Sequence, residues 1–287
     1  MTHASLAIDL FLEAAELNRT DPLRRGSLLE LPHYGQVVMT GDLHGHRRNF
    51  EKLVAYSRLE RTPIRHVLLH ELIHEEPVTW TAHDRSVELL VDAARWKTFF
   101  PGQVHFLQSN HELAQLNDHD ITKGGRSVSM EFDEGVAEIF GDAEADAVLK
   151  ALDEFFASLP VAARSPNRIF FSHSLPDSDD LAGFDPDSIR KPPEQLDLSE
   201  DGPVYRLVWG RRHNAALLEA LAKAWDVDLF IVGHQPQAWG HGVLHDRLLV
   251  LASDHNHGVF LPLDLSRTYT ITDLESRIQK FAGVDVG

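Results

Sequence analysis

Val37-Val38-Met39-Thr40-Gly41-Asp42-Leu43-His44-Gly45 is a short apolar run that ends in a carboxylate and an imidazole set between glycines. Four more stretches repeat the arrangement. Val67-Leu68-Leu69 leads into His70-Glu71-Leu72-Ile73-His74, and Val104-His105-Phe106-Leu107 leads into Ser109-Asn110-His111-Glu112. Ile169-Phe170-Phe171 leads into Ser172-His173, and Leu229-Phe230-Ile231-Val232 into Gly233-His234-Gln235-Pro236. Each run has strand length and is rich in β-branched or aromatic residues. Helical patterns lie between them: Phe50, Leu53, Val54 and Leu59 mark one apolar face, Val87, Leu90, Val91 and Ala94 a second, and Leu217, Leu218, Leu221 and Trp225 a third. Strands alternating with helices imply an α/β fold whose polar side chains converge at the carboxyl ends of the strands. Leu248–Ala252 and Val259–Leu261 read as consecutive strands joined by a tight polar turn. The acidic segment from Pro176 to Pro203 holds five prolines and reads as a long loop. With no internal repeat and no linker, residues 1–287 are expected to form a single domain.

Composition narrows the function. The 287 residues are 43% hydrophobic, enough for a substantial core, and carry a formal net charge of −17. That charge argues against nonspecific nucleic-acid binding and against an anionic membrane surface. A phosphate-bearing ligand would then need local cations, and metal ions are the obvious supply. The chain has no cysteine, which removes disulfides and thiolate ligands. Its 18 histidines leave ample neutral nitrogen donors. Residues Leu6 to Leu17 are apolar but carry Asp9, Glu13 and Glu16 at helical spacing, so they read as an amphipathic helix rather than a secretory signal. No stretch approaches 18 uncharged apolar residues. A soluble, cytoplasmic protein is expected.

The strand ends supply carboxylates at Asp42 and Glu71, an amide at Asn110, and imidazoles at His44, His111, His173 and His234. Nitrogen and oxygen donors without sulfur suit manganese, iron or zinc. Two such ions about 3.5–4 Å apart can bind both the attacking and the leaving oxygen of a displacement at phosphorus. A carboxylate shared between them would hold that separation.

The ordered set resembles the calcineurin-like metallophosphoesterases, whose signature is G-D-x-H-G, G-D-x-x-D-R, G-N-H-E, a lone His and G-H, each at a strand end. Gly41-Asp42-Leu43-His44-Gly45 matches the first element throughout, and Ser109-Asn110-His111-Glu112 matches the third except at its glycine. His173 and Gly233-His234 supply the last two, so the resemblance spans roughly residues 36–262. Phe156-Ala157-Ser158-Leu159-Pro160-Val161-Ala162-Ala163, His234-Gln235 and Ser253-Asp254-His255-Asn256-His257 resemble stretches of the phosphoprotein phosphatase branch in particular. The resemblance implies two mixed β-sheets packed face to face with helices outside, a four-layer α/β/β/α arrangement, and two divalent or trivalent metal ions. It further implies that Asp42 and His44 bind one ion and Asn110, His173 and His234 the other, with Glu71 in the bridging place. A hydroxide held between the ions would attack phosphorus, and His111 would protonate the leaving oxygen. Arg211, beside Trp209-Gly210, is the candidate cation for the substrate phosphate, and His257 is a second candidate contact to it.

The second element departs from the signature. G-D-x-x-D-R reads here as His70-Glu71-Leu72-Ile73-His74-Glu75. Glu71 keeps the carboxylate with one more methylene, His74 replaces the Asp that orients the catalytic histidine, and Glu75 replaces the phosphate-gripping Arg. Two rival readings follow from these changes. One is a non-catalytic metal-binding module on the same fold. The other is a zinc peptidase, because His70-Glu71-Leu72-Ile73-His74 spells H-E-x-x-H, which on a helix would present both histidines to one zinc ion. Phosphorylated proteins, dinucleoside polyphosphates and small phosphomonoesters all remain open as substrates.

Overall fold

A computed structural model describes residues 2–75, 82–123 and 125–286. From the amino end the chain forms α1 (His3–Arg19), β1 (Arg24–Arg25), β2 (Leu28–Glu30), β3 (Gln36–Thr40), α2 (Arg47–Ser57), β4 (Arg65–Leu69), α3 (Ser86–Phe99) and β5 (Val104–Phe106). There follow α4 (Asn110–Leu116), a small ribbon of β6 (Thr122–Lys123) and β7 (Arg126–Ser127), α5 (Val128–Phe140), α6 (Asp142–Ala157), β8 (Ala162–Ser165) and β9 (Ile169–Ser172). The last part holds α7 (Pro203–Trp209), α8 (Ala215–Trp225), β10 (Leu229–Val232), β11 (His241–Leu244), β12 (Leu248–Leu251), β13 (Val259–Asp264), α9 (Ile271–Arg277) and β14 (Gln279–Lys280).

The main strands form a seven-stranded sheet, β1-β2-β8-β9-β10-β12-β11, and a five-stranded sheet, β14-β13-β3-β4-β5. Both are mixed. β3, β4 and β5 run parallel with β13 antiparallel beside them, and β9, β10 and β12 run parallel between antiparallel β8 and β11. Period-two alternation along each strand sorts the apolar side chains into layers. Val37 and Met39, Leu68, Ile169 and Phe171, Ile231, and Leu249 and Leu251 share one apolar layer between the sheets. Their alternates face outward: Val38, Val67 and Leu69 join a core with α1, α2, α3, α5 and α6, while Phe170, Phe230, Val232 and Val250 join one with α7 and α8. Fully burying each such side chain contributes roughly 1.5–3 kcal/mol, and a one-residue slip would turn every one of them to the wrong layer. The four-layer α/β/β/α arrangement follows.

Leu248–Leu251 and Val259–Asp264 are strands, as expected, but they do not form a hairpin. Their link closes with Val259 N–H donating to Ala252 O (3.0 Å) and then delivers the chain from one sheet to the other. The two sheets touch here: Asp42 forms a parallel bridge with Ala252, and Ser253 N–H donates to Asp42 O at 3.1 Å. Gly41 permits the approach, since a Cβ there would lie 2.2 Å from Leu251 O. The stretch between Pro176 and Pro203 is irregular apart from short 3-10 turns at Ser178–Asp180, Pro186–Arg190 and Pro193–Gln195. In α1, Asp9, Glu13 and Glu16 are exposed while Ala7, Phe11, Ala14 and Ala15 are buried, and Thr2 caps the helix by accepting from Ser5 N–H at 3.1 Å. Among the described residues no helix is long and apolar enough to cross a membrane.

Candidate metal centre

Every polar cluster begins where a parallel strand stops: Asp42 after β3, Glu71 after β4, Asn110 after β5, His173 after β9 and His234 after β10. The chain turns sharply at these points. His44, Glu71, His74 and His234 all have left-handed backbones, with φ of 41°, 49°, 64° and 66°. Such conformations cost non-glycine residues free energy and persist where surrounding structure enforces them. Gly233 makes room beside them, because a Cβ at that position would sit 2.2 Å from Asp42 Oδ1.

Two imidazoles are pinned from behind by backbone carbonyls. His44 Nδ1 lies 2.9 Å from Ile73 O and His70 Nε2 2.9 Å from Thr40 O. A carbonyl only accepts, so the ring nitrogen facing it carries the hydrogen, and in the neutral ring that a metal ligand must be the other is left bare. The bare nitrogens face inward. His44 Nε2 is 3.1 Å from Glu71 Oε1, and His70 Nδ1 is 3.4 Å from Asp42 Oδ1 and 3.0 Å from His173 Nδ1. His234 Nδ1 is 3.0 Å from His173 Nε2. His173 Nε2 also lies 2.6 Å from Asn110 Oδ1 and 2.8 Å from Glu71 Oε2. Asp42 accepts the His234 backbone N–H on both oxygens at 2.9 Å. The donor atoms thus gather into three overlapping groups, Asp42–His70–His173, His44–Glu71–His111 and Glu71–His173–His234.

The family model for calcineurin-like phosphoesterases matches residues 35–238. The chain belongs to the calcineurin-like phosphoesterase family. That membership makes it a phosphoester hydrolase by class and implies divalent metal ions. Solved structures agree in fold. A protein serine/threonine phosphatase from Saccharomyces cerevisiae superposes with a TM-score of 0.69 at 17% identity, covering 99% of this chain and 91% of its own. A cold-active protein-tyrosine phosphatase of a psychrophilic Shewanella species superposes at 0.57 and 15% identity, covering 93% and 84%. No curated protein sequence matches the chain.

The calcineurin-like site suits cations on its own physical terms. A ring nitrogen carries at most one proton, so His173 Nε2 cannot satisfy Asn110, His234 and Glu71 together. Ligand atoms each about 2.0–2.2 Å from one ion stand roughly 3 Å apart, which is the spacing found here. Among the described residues, buried Glu71 Oε2 has no aligned hydrogen bond although His173 Nε2 is 2.8 Å away, which leaves an acceptor oxygen for a cation. Charge tells the same story. Burial, and then the neighbouring Glu71, push Asp42 up to about 7. Burial opposes charging His44, yet Glu71 and Asp42 outweigh it and raise its pKa to about 10. Burial likewise works against ionised Glu71, but His173, His111 and His44 hold it well below the usual carboxylate range. The chain alone must therefore borrow protons to balance its carboxylates.

The structure brings together Asp42, His44, Glu71, Asn110, His111, His173 and His234. Arg211 meets them at the edge, its Nε–H donating to His234 Nε2 at 2.9 Å, a nitrogen that also lies 3.1 Å from Trp209 O. Arg212 and Arg206 are engaged elsewhere, with Asp177 and Asp179 and with Asp180 respectively. The His257 ring lies 5.1 Å from that of Trp239, and its backbone N–H donates to His255 Nδ1 at 3.1 Å. The H-E-x-x-H reading fails. Residues 70–74 are irregular rather than helical, His70 faces Asp42 and His173, and His74 instead faces His111 at 2.6 Å. Glu75 packs against Gly45, where a Cβ would come within 2.5 Å of it.

Sequence reasoning missed His70, whose bare nitrogen belongs to the cluster. The peptidase-like spelling drew attention to its spacing from His74 rather than to its place at a strand end. It also missed Gln115, although Gln115 lies four residues beyond His111 on α4 and so shares its face.

Proposed function

We propose that the chain is a dinuclear metal-dependent phosphoester hydrolase in which Asn110, His173 and His234 hold one ion, Asp42 and His44 the other, and Glu71 serves both. His70 Nδ1 is a further donor beside Asp42. One observation carries the reading: imidazoles pinned by backbone carbonyls turn bare nitrogens onto two buried carboxylates. Histidine ligands of metals are oriented in this way, with the second nitrogen donating to a fixed acceptor. Bound cations supply the positive charge and the acidity toward water that hydrolysis at phosphorus requires.

The chain's own groups provide the rest. Arg211 is positioned to hold the phosphate oxygens, as the guanidinium fork does elsewhere. His111 is placed to take up a proton at Nε2 and pass it to the leaving oxygen as the bond from phosphorus to that oxygen breaks. His111 Nε2 lies 3.4 Å from Glu71 Oε1, which puts it at the mouth of the donor cluster. We take phosphomonoesters as the substrate class, supported by the fold shared with the two protein phosphatases. The whole chain is read as one catalytic unit, and the lack of cysteine accords with the cytoplasm as its place of action.

The test is hydrolysis of p-nitrophenyl phosphate, phosphoserine and phosphotyrosine peptides and a dinucleoside polyphosphate after reconstitution with manganese, iron or zinc. Wild type should turn over at least one, and Asp42→Asn should abolish that turnover while leaving the fold intact by circular dichroism. Metal binding without hydrolysis of any of them would favour a non-catalytic module.

A further inference from the structure

The carboxylate that the family signature sets beside its catalytic histidine is absent here, and His74 stands in its place. His74 is buried, its backbone is left-handed, and its N–H donates to Ser86 Oγ at 3.0 Å. Phe132 of α5 packs edge-on against its ring at 5.6 Å. Among the described residues the ring has two hydrogen-bonding neighbours: Nδ1 is 2.6 Å from His111 Nδ1, and Nε2 is 3.1 Å from Gln115 Oε1. Gln115 Nε2 in turn donates to Asp133 Oδ1 at 2.8 Å. Asp133 lies on α5, in a different part of the sequence from every motif residue.

We propose that Gln115 and Asp133 are positioning residues which, acting through His74, fix the tautomer of His111. The proposal rests on the hydrolase reading above. The reasoning follows the direction of each hydrogen bond. A carboxylate only accepts, so Asp133 takes the Gln115 amide hydrogen and turns Oε1 toward His74. Oε1 also only accepts, so His74 carries its hydrogen on Nε2, and its Nδ1 is a lone pair. That lone pair faces His111 Nδ1, which must then be the donor. His111 Nε2 is left bare beside Glu71, the nitrogen that takes up a proton and then gives it to the leaving oxygen. The carboxylate that orients the catalytic histidine has thus moved two side chains outward, with a neutral imidazole and an amide relaying its direction but not its charge.

Size-conserving substitutions separate this from a packing role. Gln115→Leu removes the relay. Gln115→Glu combined with Asp133→Asn keeps an acceptor for His74 Nε2–H and gives the new carboxylate a donor in place of Asp133. Gln115→Leu should slow hydrolysis of an alkyl phosphate about tenfold or more, since general acid catalysis is worth roughly 10²–10⁴-fold. It should affect p-nitrophenyl phosphate far less, because that leaving group needs little protonation. Asp133→Asn alone should slow the alkyl phosphate, and the Gln115→Glu, Asp133→Asn double variant should bring its rate back to that of wild type. A second readout is independent of turnover: nitrogen-15 NMR of histidine-labelled protein should show His74 protonated at Nε2 and His111 at Nδ1, with both assignments lost in Gln115→Leu. Equal rates in Gln115→Leu and wild type, or His74 protonated at Nδ1 in wild type, would overturn the relay. If wild type hydrolyses no phosphoester, the hydrolase reading fails, and the NMR result still decides the relay.

Discussion

Shortening Glu71 to aspartate should damage this site even though aspartate is the residue the family signature carries there. The Glu71 side chain is 2% exposed and reaches three imidazoles, with Oε1 3.1 Å from His44 Nε2 and 3.4 Å from His111 Nε2, and Oε2 2.8 Å from His173 Nε2. Removing a methylene withdraws the carboxylate by up to one carbon–carbon bond, about 1.5 Å. Contacts of 2.8–3.4 Å then open to about 4 Å or more unless the backbone follows. The backbone is poorly placed to follow, because Leu43 N–H and His44 N–H both donate to Glu71 O at 2.9 Å. Misplacing reacting groups by about 1 Å costs roughly 100-fold in rate, or about 2.7 kcal/mol of transition-state stabilisation. Folding should not suffer, since Glu71 has φ of 49° and aspartate tolerates a left-handed backbone better than glutamate does. Glu71→Asp should therefore show kcat/KM roughly 100-fold down, lower metal content, and a metal-free Tm no lower than wild type. A variant as active as wild type with full metal content would refute the argument from reach.

Arg211→Ala should raise KM for a phosphoester about tenfold or more while leaving metal content unchanged, given what a charge-assisted hydrogen bond is worth. Loss of metal instead would mean that Arg211 only supports His234. Away from the site, His66 Nδ1 lies 3.1 Å from His105 Nε2, and His105 Nδ1 lies 2.8 Å from Asp21 Oδ2. Burial, then His105, hold the His66 pKa down from 6.5 to about 4, so the unfolded chain binds the proton first. That stability is present above pH 6.5 and is lost as pH falls toward 4, by about 3 kcal/mol in all. Urea melts should show wild type losing about that much more than His66→Gln between pH 7 and pH 4, and parallel losses would count against it.

Much of the site was legible because its donors follow strands. A mostly apolar run of three or four residues followed closely by His, Asp or Asn is a local pattern, and β3, β4, β5, β9 and β10 each display it. The pairing of the two sheets was not local. It depends on Gly41 lying against Leu251 and on Ser253 crossing to Asp42, contacts between residues more than 200 positions apart, and it entered the reading only through family resemblance. For the same reason the link from β12 to β13 looked like a hairpin, since a short polar turn is written alike whether its strands share a sheet or part. His257 enters as a substrate contact through the resemblance alone, and its ring lies beside Trp239. The relay from His111 to Asp133 joins α4 to α5 through a residue at an irregular turn, and only the His111–Gln115 spacing hinted at it.

Metal content measured together with turnover tests the central claim most directly. Protein reconstituted with manganese, iron or zinc and freed of excess metal should hold about two ions per chain by elemental analysis and hydrolyse a phosphoester. His234→Ala, folded by circular dichroism, should hold fewer ions and lose activity with them. His234→Ala with wild-type metal content and wild-type turnover, or wild type that hydrolyses phosphoesters with no bound metal, would contradict the account.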